Sequence, residues 1–246
     1  LVSRYCEGSG DYDGLRLLPF YAVHRALVRA KVDALSARNI PDRRAEFLER
    51  LHVRLRTAQR WIAPPQPSLI LMHGVSGSGK SWLSERLIPA LPAVRIRSDI
   101  ERKRLAGIAA DEKAADPVYS SDFTQLTYAR LSECAAACLD AGFTTIVDAT
   151  FLDPAQRAIF QTLARNMSVP LTIVACASER QELERRIIER AKYGDRVSDA
   201  DLEVLAAQLH NLQPFSANEL PTVVRVDTSG PNAVADTVAA IRSRTR

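Results

Sequence analysis

Gly74-Val75-Ser76-Gly77-Ser78-Gly79-Lys80-Ser81 matches the pattern G-x-x-x-x-G-K-[ST] at every fixed position. On ordinary residue frequencies such a match arises in roughly 1% of chains of this length, and fewer have the right surroundings. Here the apolar run Ser68-Leu69-Ile70-Leu71-Met72-His73 leads in as a strand, and Trp82-Leu83-Ser84-Glu85-Arg86-Leu87-Ile88 leads out as a helix. Three of the chain's ten glycines fall within six residues, where the backbone must turn its N–H groups toward one anion. The residue types then dictate the chemistry. Loop amides from Gly74 to Ser81 cradle the phosphates of ATP, Lys80 neutralises their outer charge, and the Ser81 hydroxyl is a hard ligand for Mg2+.

Downstream, short apolar runs alternate with helical patterns. Strands are expected at Ser68–His73, Ala93–Arg97, Thr144–Asp148, Leu171–Cys176 and Thr222–Val226. Helices are expected near 79–91, 99–106, 121–141, 153–166, 179–192, 199–211 and 232–243. This alternation predicts an α/β fold, a parallel sheet with helices on both faces. With 46% hydrophobic and 25% charged residues among 246, the chain can bury a core, which excludes a disordered or fibrous class. No apolar run reaches the roughly 18 to 20 residues that span a bilayer, and no charged-then-apolar leader is present. A soluble cytoplasmic protein is expected. The chain opens at Leu1 without an initiator Met, and reads as a portion of a longer product.

Pro64-Pro65-Gln66-Pro67 reads as a linker, since no helix or central strand tolerates three prolines in four residues. It divides an N-terminal helical segment, residues 1–63, from a domain at 68–246. Upstream of it an irregular leader precedes two amphipathic helices, with stripes at Phe20, Val23, Leu27, Ala30 and Ala34, and at Phe47, Leu51, Leu55, Ala58 and Ile62. These are too few residues for a core of their own. They must pack on the downstream domain or on a missing upstream portion, and docking of residues 18–62 on such an upstream partner is the expectation. Charge is uneven too: residues 1–67 hold 12 Lys and Arg against 7 Asp and Glu, a net +5, and the remainder is −1. Dominant nucleic-acid binding by the larger part is therefore not favoured.

Further groups are candidates for the chemistry. Phe143-Thr144-Thr145-Ile146-Val147-Asp148 is an apolar strand ending in an acid, which would place Asp148 beside the Mg2+. A bare turn former is the alternative. Asp99 and Arg102 follow the strand Ala93–Arg97, whose carboxyl end should open on the same cleft. Against catalysis by Asp99 stands a capping box, Ser98-x-x-Glu101, with Asp99 favouring the helix dipole. Arg186 and Arg190 lie one turn apart, just before a Gly-containing loop at 191–196 able to close as a lid and bring positive charge over the γ-phosphate. Pairing with Glu182 and Glu189 on a solvated face is the alternative. The four cysteines form no CxxC pair. Cys134 and Cys138 share a helical stripe with Leu131, Ala135 and Leu139 and read as buried thiols.

Over residues 68–228 these motifs together resemble P-loop kinases, the group that includes polynucleotide 5′-kinases, zeta-toxin-like kinases and the AAA-33 ATPase family. The likeness rests on Gly74 to Ser81, on Ile96-Arg97-Ser98-Asp99-Ile100-Glu101-Arg102, on Val147-Asp148-Ala149-Thr150-Phe151-Leu152 with Arg157 beyond, and on Arg186-Ile187-x-x-Arg190. It implies a three-layer sandwich around a five-stranded parallel sheet of order 2-3-1-4-5. It also implies a general base at Asp99, an Arg102 that binds the acceptor's phosphate or the transferred group, and triphosphate-clamping Arg186 and Arg190. Thr150 stands where polynucleotide kinases more often carry Asn, which disfavours a nucleic-acid acceptor. The leader, from Tyr5-Cys6-Glu7-Gly8 through His24-Arg25-Ala26-Leu27, is similar to the closing helices of an aminoglycoside-phosphotransferase-like domain. Three functions stay open: a Mg-ATP-dependent kinase for a small or nucleotide-like hydroxyl acceptor, a polynucleotide 5′-kinase, and an ATP-hydrolysing regulatory switch.

Overall fold

The structure, a computed structural model, describes residues 1–109, 112, 120–193 and 201–244. Its strands are β1 (Leu69–His73), β2 (Ala93–Arg97), β3 (Thr144–Asp148), β4 (Leu171–Ala177) and β5 (Val223–Asp227). All pair in parallel in the order β2-β3-β1-β4-β5, the order the resemblance implied. The strand before the phosphate loop, β1, is central and every one of its residues is buried. That is why its sequence is a continuous apolar run and does not alternate.

The helices are α1 (Val2–Ser9), α2 (Leu18–Asn39), α3 (Arg44–Ile62), α4 (Lys80–Ala90), α5 (Ser98–Leu105), α6 (Ser121–Asp140), α7 (Pro154–Asn166), α8 (Arg180–Tyr193), α9 (Leu202–Asn211) and α10 (Ala233–Arg244). On one face of the sheet Leu69, Leu71, Ile96 and Val147 meet Leu131, Cys134, Ala135 and Cys138 of α6 and Phe160 of α7. On the other, Ile70, Met72, Ile146 and Val174 meet Leu83 and Leu87 of α4 and Ile241 of α10. All four cysteines are buried and free. Burial pushes the Cys134 and Cys176 thiols up to about 12, so they behave as small apolar side chains.

The leader differs from expectation. It is helical over α1 and continues in a 3-10 turn at Asp13–Leu17. Cys6, Tyr12 and Leu15 join the cluster on the α6 face, so packing crosses the Pro64–Pro67 segment. Strand β2 is one edge of the sheet, and α1 lies against it: the Ser3 hydroxyl accepts from the Arg95 N–H at 3.2 Å and reaches the Ala93 carbonyl at 3.5 Å.

Helices α2 and α3 pair as a hairpin that buries Ala26, Ala30 and Ala37 of α2 and Phe47 and Ala58 of α3, with a buried Asp33 paired to Arg54. The expected stripes are corrected in part. Phe20, Leu27, Leu55 and Ile62 are exposed, whereas Ala30, Phe47 and Ala58 of the same stripes are buried. The hairpin touches the sheet domain through Trp61 on Phe143, 5.9 Å between rings, and the 3-10 turn before it through Arg16 on Asp140 at 2.9 Å.

Candidate active site

The strand carboxyl ends open on a cleft of about 760 Å³, within the range of small-ligand sites. Its floor is the loop between β1 and α4. Gly77 and Gly79 hold φ of 80° and 82°, the left-handed region. A Cβ on Gly77 would lie 2.7 Å from the Leu183 carbonyl, and one on Gly79 would lie 2.6 Å from Thr228 Oγ1. Only glycine fits this cradle. Lys80 turns its ammonium back to the Val75 carbonyl at 2.8 Å. Burial lowers its pKa, opposed by Asp148.

Asp148 ends β3 beside the loop and is 5% exposed. Its Oδ2 accepts from Ser84 Oγ at 3.0 Å. Ser81 and Asp148 line the same cleft, an all-oxygen pair suited to a hard cation. Among the described residues no group of three or more His, Cys, Asp and Glu gathers to hold a metal. Mg2+ is the cation such a pair fits, because it keeps its waters and shares phosphate oxygens with few protein ligands.

Asp99 and Arg102 both reach the cleft from α5. Asp99 is partly exposed, yet burial and then Asp148 push its carboxyl pKa up, while Arg97, Lys80 and Arg102 pull it down. The capping box is overturned. Arg97 is the N-cap, with no side-chain capping bond. Glu101 is fully buried instead, accepting from Tyr12 Oη at 3.0 Å and pairing with Arg104 and, at 3.6 Å, Arg130.

Arg186 donates to the Gly77 carbonyl at 3.3 Å, to Thr228 Oγ1 at 2.9 Å and to Ser229 Oγ at 3.0 Å. It thus ties α8 to the phosphate loop while also pairing with Glu182 at 2.6 Å. Glu189 pairs with Arg185 instead. Arg190 lines the cleft. The expected lid loop at 191–196 is corrected in its first half: residues 191–193 are the last of α8, and 194–196 lie outside the described residues.

Two further contributions, from Gln208 and Tyr128, had no motif, and a third comes from Arg157, which the resemblance includes without a role. Gln208 of α9 accepts from the Ser76 N–H at 2.7 Å. Tyr128 Oη, on α6, lies 3.3 Å from Thr150 Oγ1 and accepts from the Phe151 N–H at 3.2 Å. Arg157 is fully buried, donating to Glu219 at 2.6 Å and to the Phe151 and Leu152 carbonyls at the cleft wall. A period-3.6 pattern flags the helices that carry these residues but not which of their polar groups turn inward.

Residues 69–215 match the family model AAA_33, an AAA domain. The chain belongs to this family. As an AAA domain with a complete phosphate loop at Gly74–Ser81, this AAA_33 chain is an ATP-using domain. It is 28% identical over 235 residues to the uncharacterized protein Rv2004c of Mycobacterium tuberculosis, covering 94% of this chain and 45% of that protein. The uncharacterized protein Mb2027c of Mycobacterium bovis matches equally. The chain spans about half the length of these curated relatives. In fold it is similar to a putative kinase from Chloroflexus aurantiacus, TM-score 0.58 and 21% identity, over 73% of this chain and 98% of that one. A gluconokinase from Sinorhizobium meliloti gives 0.53 and 22% over 73% and 94%. The APS kinase CysC of Mycobacterium tuberculosis, solved with AMPPNP and APS, gives 0.51 and 19% over 73% and 98%.

Proposed function

We propose that this AAA_33 chain is a Mg-ATP-dependent kinase that transfers the γ-phosphate to a hydroxyl of a small-molecule or nucleotide-like acceptor. The observation that carries the reading is one cleft shared by Asp99 and Arg102 from α5 and by Lys80, Ser81 and Asp148 from the phosphate loop and β3. A hydrolase needs the second set alone. Asp99 takes the acceptor's proton as its oxygen attacks the γ-phosphorus; the bond from that phosphorus to the β–γ bridging oxygen breaks, and its electron pair leaves with ADP. Lys80, Arg186 and Arg190 offset charge on the transferred group, and Arg102 orients the acceptor. Ser81 and Asp148 would hold the Mg2+ that balances the β- and γ-phosphate charge.

The structural neighbours whose names specify gluconate or APS as acceptor support a small-molecule class by analogy of fold. Thr150 and the −1 charge of residues 68–246 weigh against a polynucleotide. A zeta-toxin-like subfamily and a cytoplasmic setting go with the same reading. So does an upstream phosphotransferase-like domain seated on the α2–α3 hairpin, supported by exposed Phe20, Tyr21 and Leu27 and by the greater length of the relatives.

The test is a panel of sugars, sugar acids, nucleosides, nucleotides and oligonucleotides incubated with γ-labelled ATP. Label on a small acceptor supports the reading. Label on oligonucleotides alone, or only as free phosphate, sinks it in favour of a polynucleotide kinase or a regulatory ATPase.

A further inference from the structure

We propose that Glu7 and Arg95 are positioning residues for the cation-facing edge of the nucleotide site, which makes residues 1–12 a working part of that site although the family match begins at residue 69. The inference rests on the reading of Ser81 and Asp148 as the groups that meet the nucleotide's Mg2+.

Arg95 sits on β2 with only 7% of its surface exposed. A guanidinium carries five donors and a fixed charge, so burial there requires acceptors and a counter-charge. Glu7, on α1, supplies the charge: Arg95 Nε donates to Glu7 Oε1 at 3.1 Å. On its other side Nη1 donates to Ser84 Oγ at 3.3 Å and to the Ser81 carbonyl at 3.4 Å. The Ser84 hydroxyl lies 3.0 Å from Asp148 Oδ2 and 3.1 Å from the Ser81 carbonyl. Because Arg95 occupies its acceptor side, the single Ser84 proton is left to point at one of those oxygens. Four residues therefore run from the leader helix to the metal carboxylate, each in contact with the next.

Charge decides the sign. With Glu7 ionised, Arg95 is balanced on the side away from the cleft and acts on Asp148 only through a hydroxyl. Without that charge the guanidinium keeps its full positive field about one side chain from Asp148, where it competes with a cation. The leader also grips the helix that presents Asp99. Arg104 donates to the Glu7 carbonyl, and Tyr12 to Glu101. A Cβ on Gly10 would lie 2.8 Å from Arg104 Nε.

The experiment measures binding of a fluorescent ATP analogue by the full chain, in EDTA and across a Mg2+ titration. Glu7→Gln is expected to raise the Mg2+ midpoint about tenfold while binding in EDTA stays within about twofold. Glu7→Asp keeps the charge with a shorter reach and should shift it about threefold. In an Arg95→Met background Glu7→Gln should add no further shift, since the charge it balances is gone. Equal weakening with and without Mg2+ would mark Glu7 as merely structural and overturn the proposal, as would an unmoved midpoint. Should Glu7→Gln not fold, Glu7→Asp carries the test alone, and an unshifted midpoint there is fatal. If the unsubstituted protein binds the analogue with no response to Mg2+, the reading of Ser81 and Asp148 fails first, and this proposal with it.

Discussion

The backbone N–H of Ser76 donates to the side-chain oxygen of Gln208 at 2.7 Å, joining the phosphate loop to α9 across 132 residues of chain. On the proposed function that N–H belongs to the anion cradle, and a bound phosphate then displaces the amide oxygen. One neutral hydrogen bond is worth about 0.5 to 1.5 kcal/mol net. Gln208→Ala is expected to tighten ADP and ATP binding by roughly two- to tenfold by calorimetry; weaker binding would instead make Gln208 a nucleotide contact.

Asp99→Asn keeps size and removes the base. Transfer to an acceptor should fall about 10²- to 10⁴-fold, with ATP affinity and melting temperature near those of the parent. Unchanged transfer by this variant would assign the base elsewhere.

His73 precedes the phosphate loop and packs on Phe215, 4.5 Å between ring centres. Burial, then Arg157 and Lys80, lower its pKa from 6.5 to about 4. The folded state keeps it neutral while the unfolded state takes up a proton, so stability is full above 6.5 and is lost as pH falls toward 4. The loss amounts to at most about 3 kcal/mol. Melting temperature across this window should fall less steeply in His73→Gln; identical slopes would exclude His73 as the source.

Arg157 and Glu219 form a doubly bonded buried pair, at 2.6 and 3.2 Å, that pins residues 214–219 against α7. The guanidinium holds the Glu219 carboxyl down at about 2. Glu219→Ala should cost about 3 to 5 kcal/mol by leaving the buried Arg157 without its counter-charge, and Arg157→Met with Glu219→Leu should cost less. Urea unfolding of the three proteins checks the order; a double variant as unstable as the single one would contradict it.

The loop and its flanks were legible because local pattern dictates them: a buried parallel strand must be apolar throughout, and a phosphate cradle needs glycine where φ is positive. Asp148 was legible for a related reason, as an acid where an apolar strand stops. Glu101 was not. Its spacing from Ser98 suits a cap, yet Tyr12 and Arg130 offer a buried carboxylate more than one backbone N–H does, and neither partner is near in sequence. Glu7 and Arg95 escaped notice likewise, 88 residues apart. In α2 the apolar periodicity marked Ala30, which is buried, and Phe20 and Leu27, which are exposed, but not Ala26 and Ala37, whose burial in the hairpin gives no hydrophobic stripe.

The hydroxyl that Ser3 of α1 sets against the edge strand β2 has a practical consequence for anyone expressing the protein in pieces. A polypeptide started at the prolines, or trimmed to the boundaries of the family match, would strip α1 from β2. The N–H of Arg95 and the carbonyl of Ala93 would then lie open as a template for another chain to add a strand. Such a truncation should aggregate or dimerise edge to edge, where the chain with its first helix keeps that edge closed.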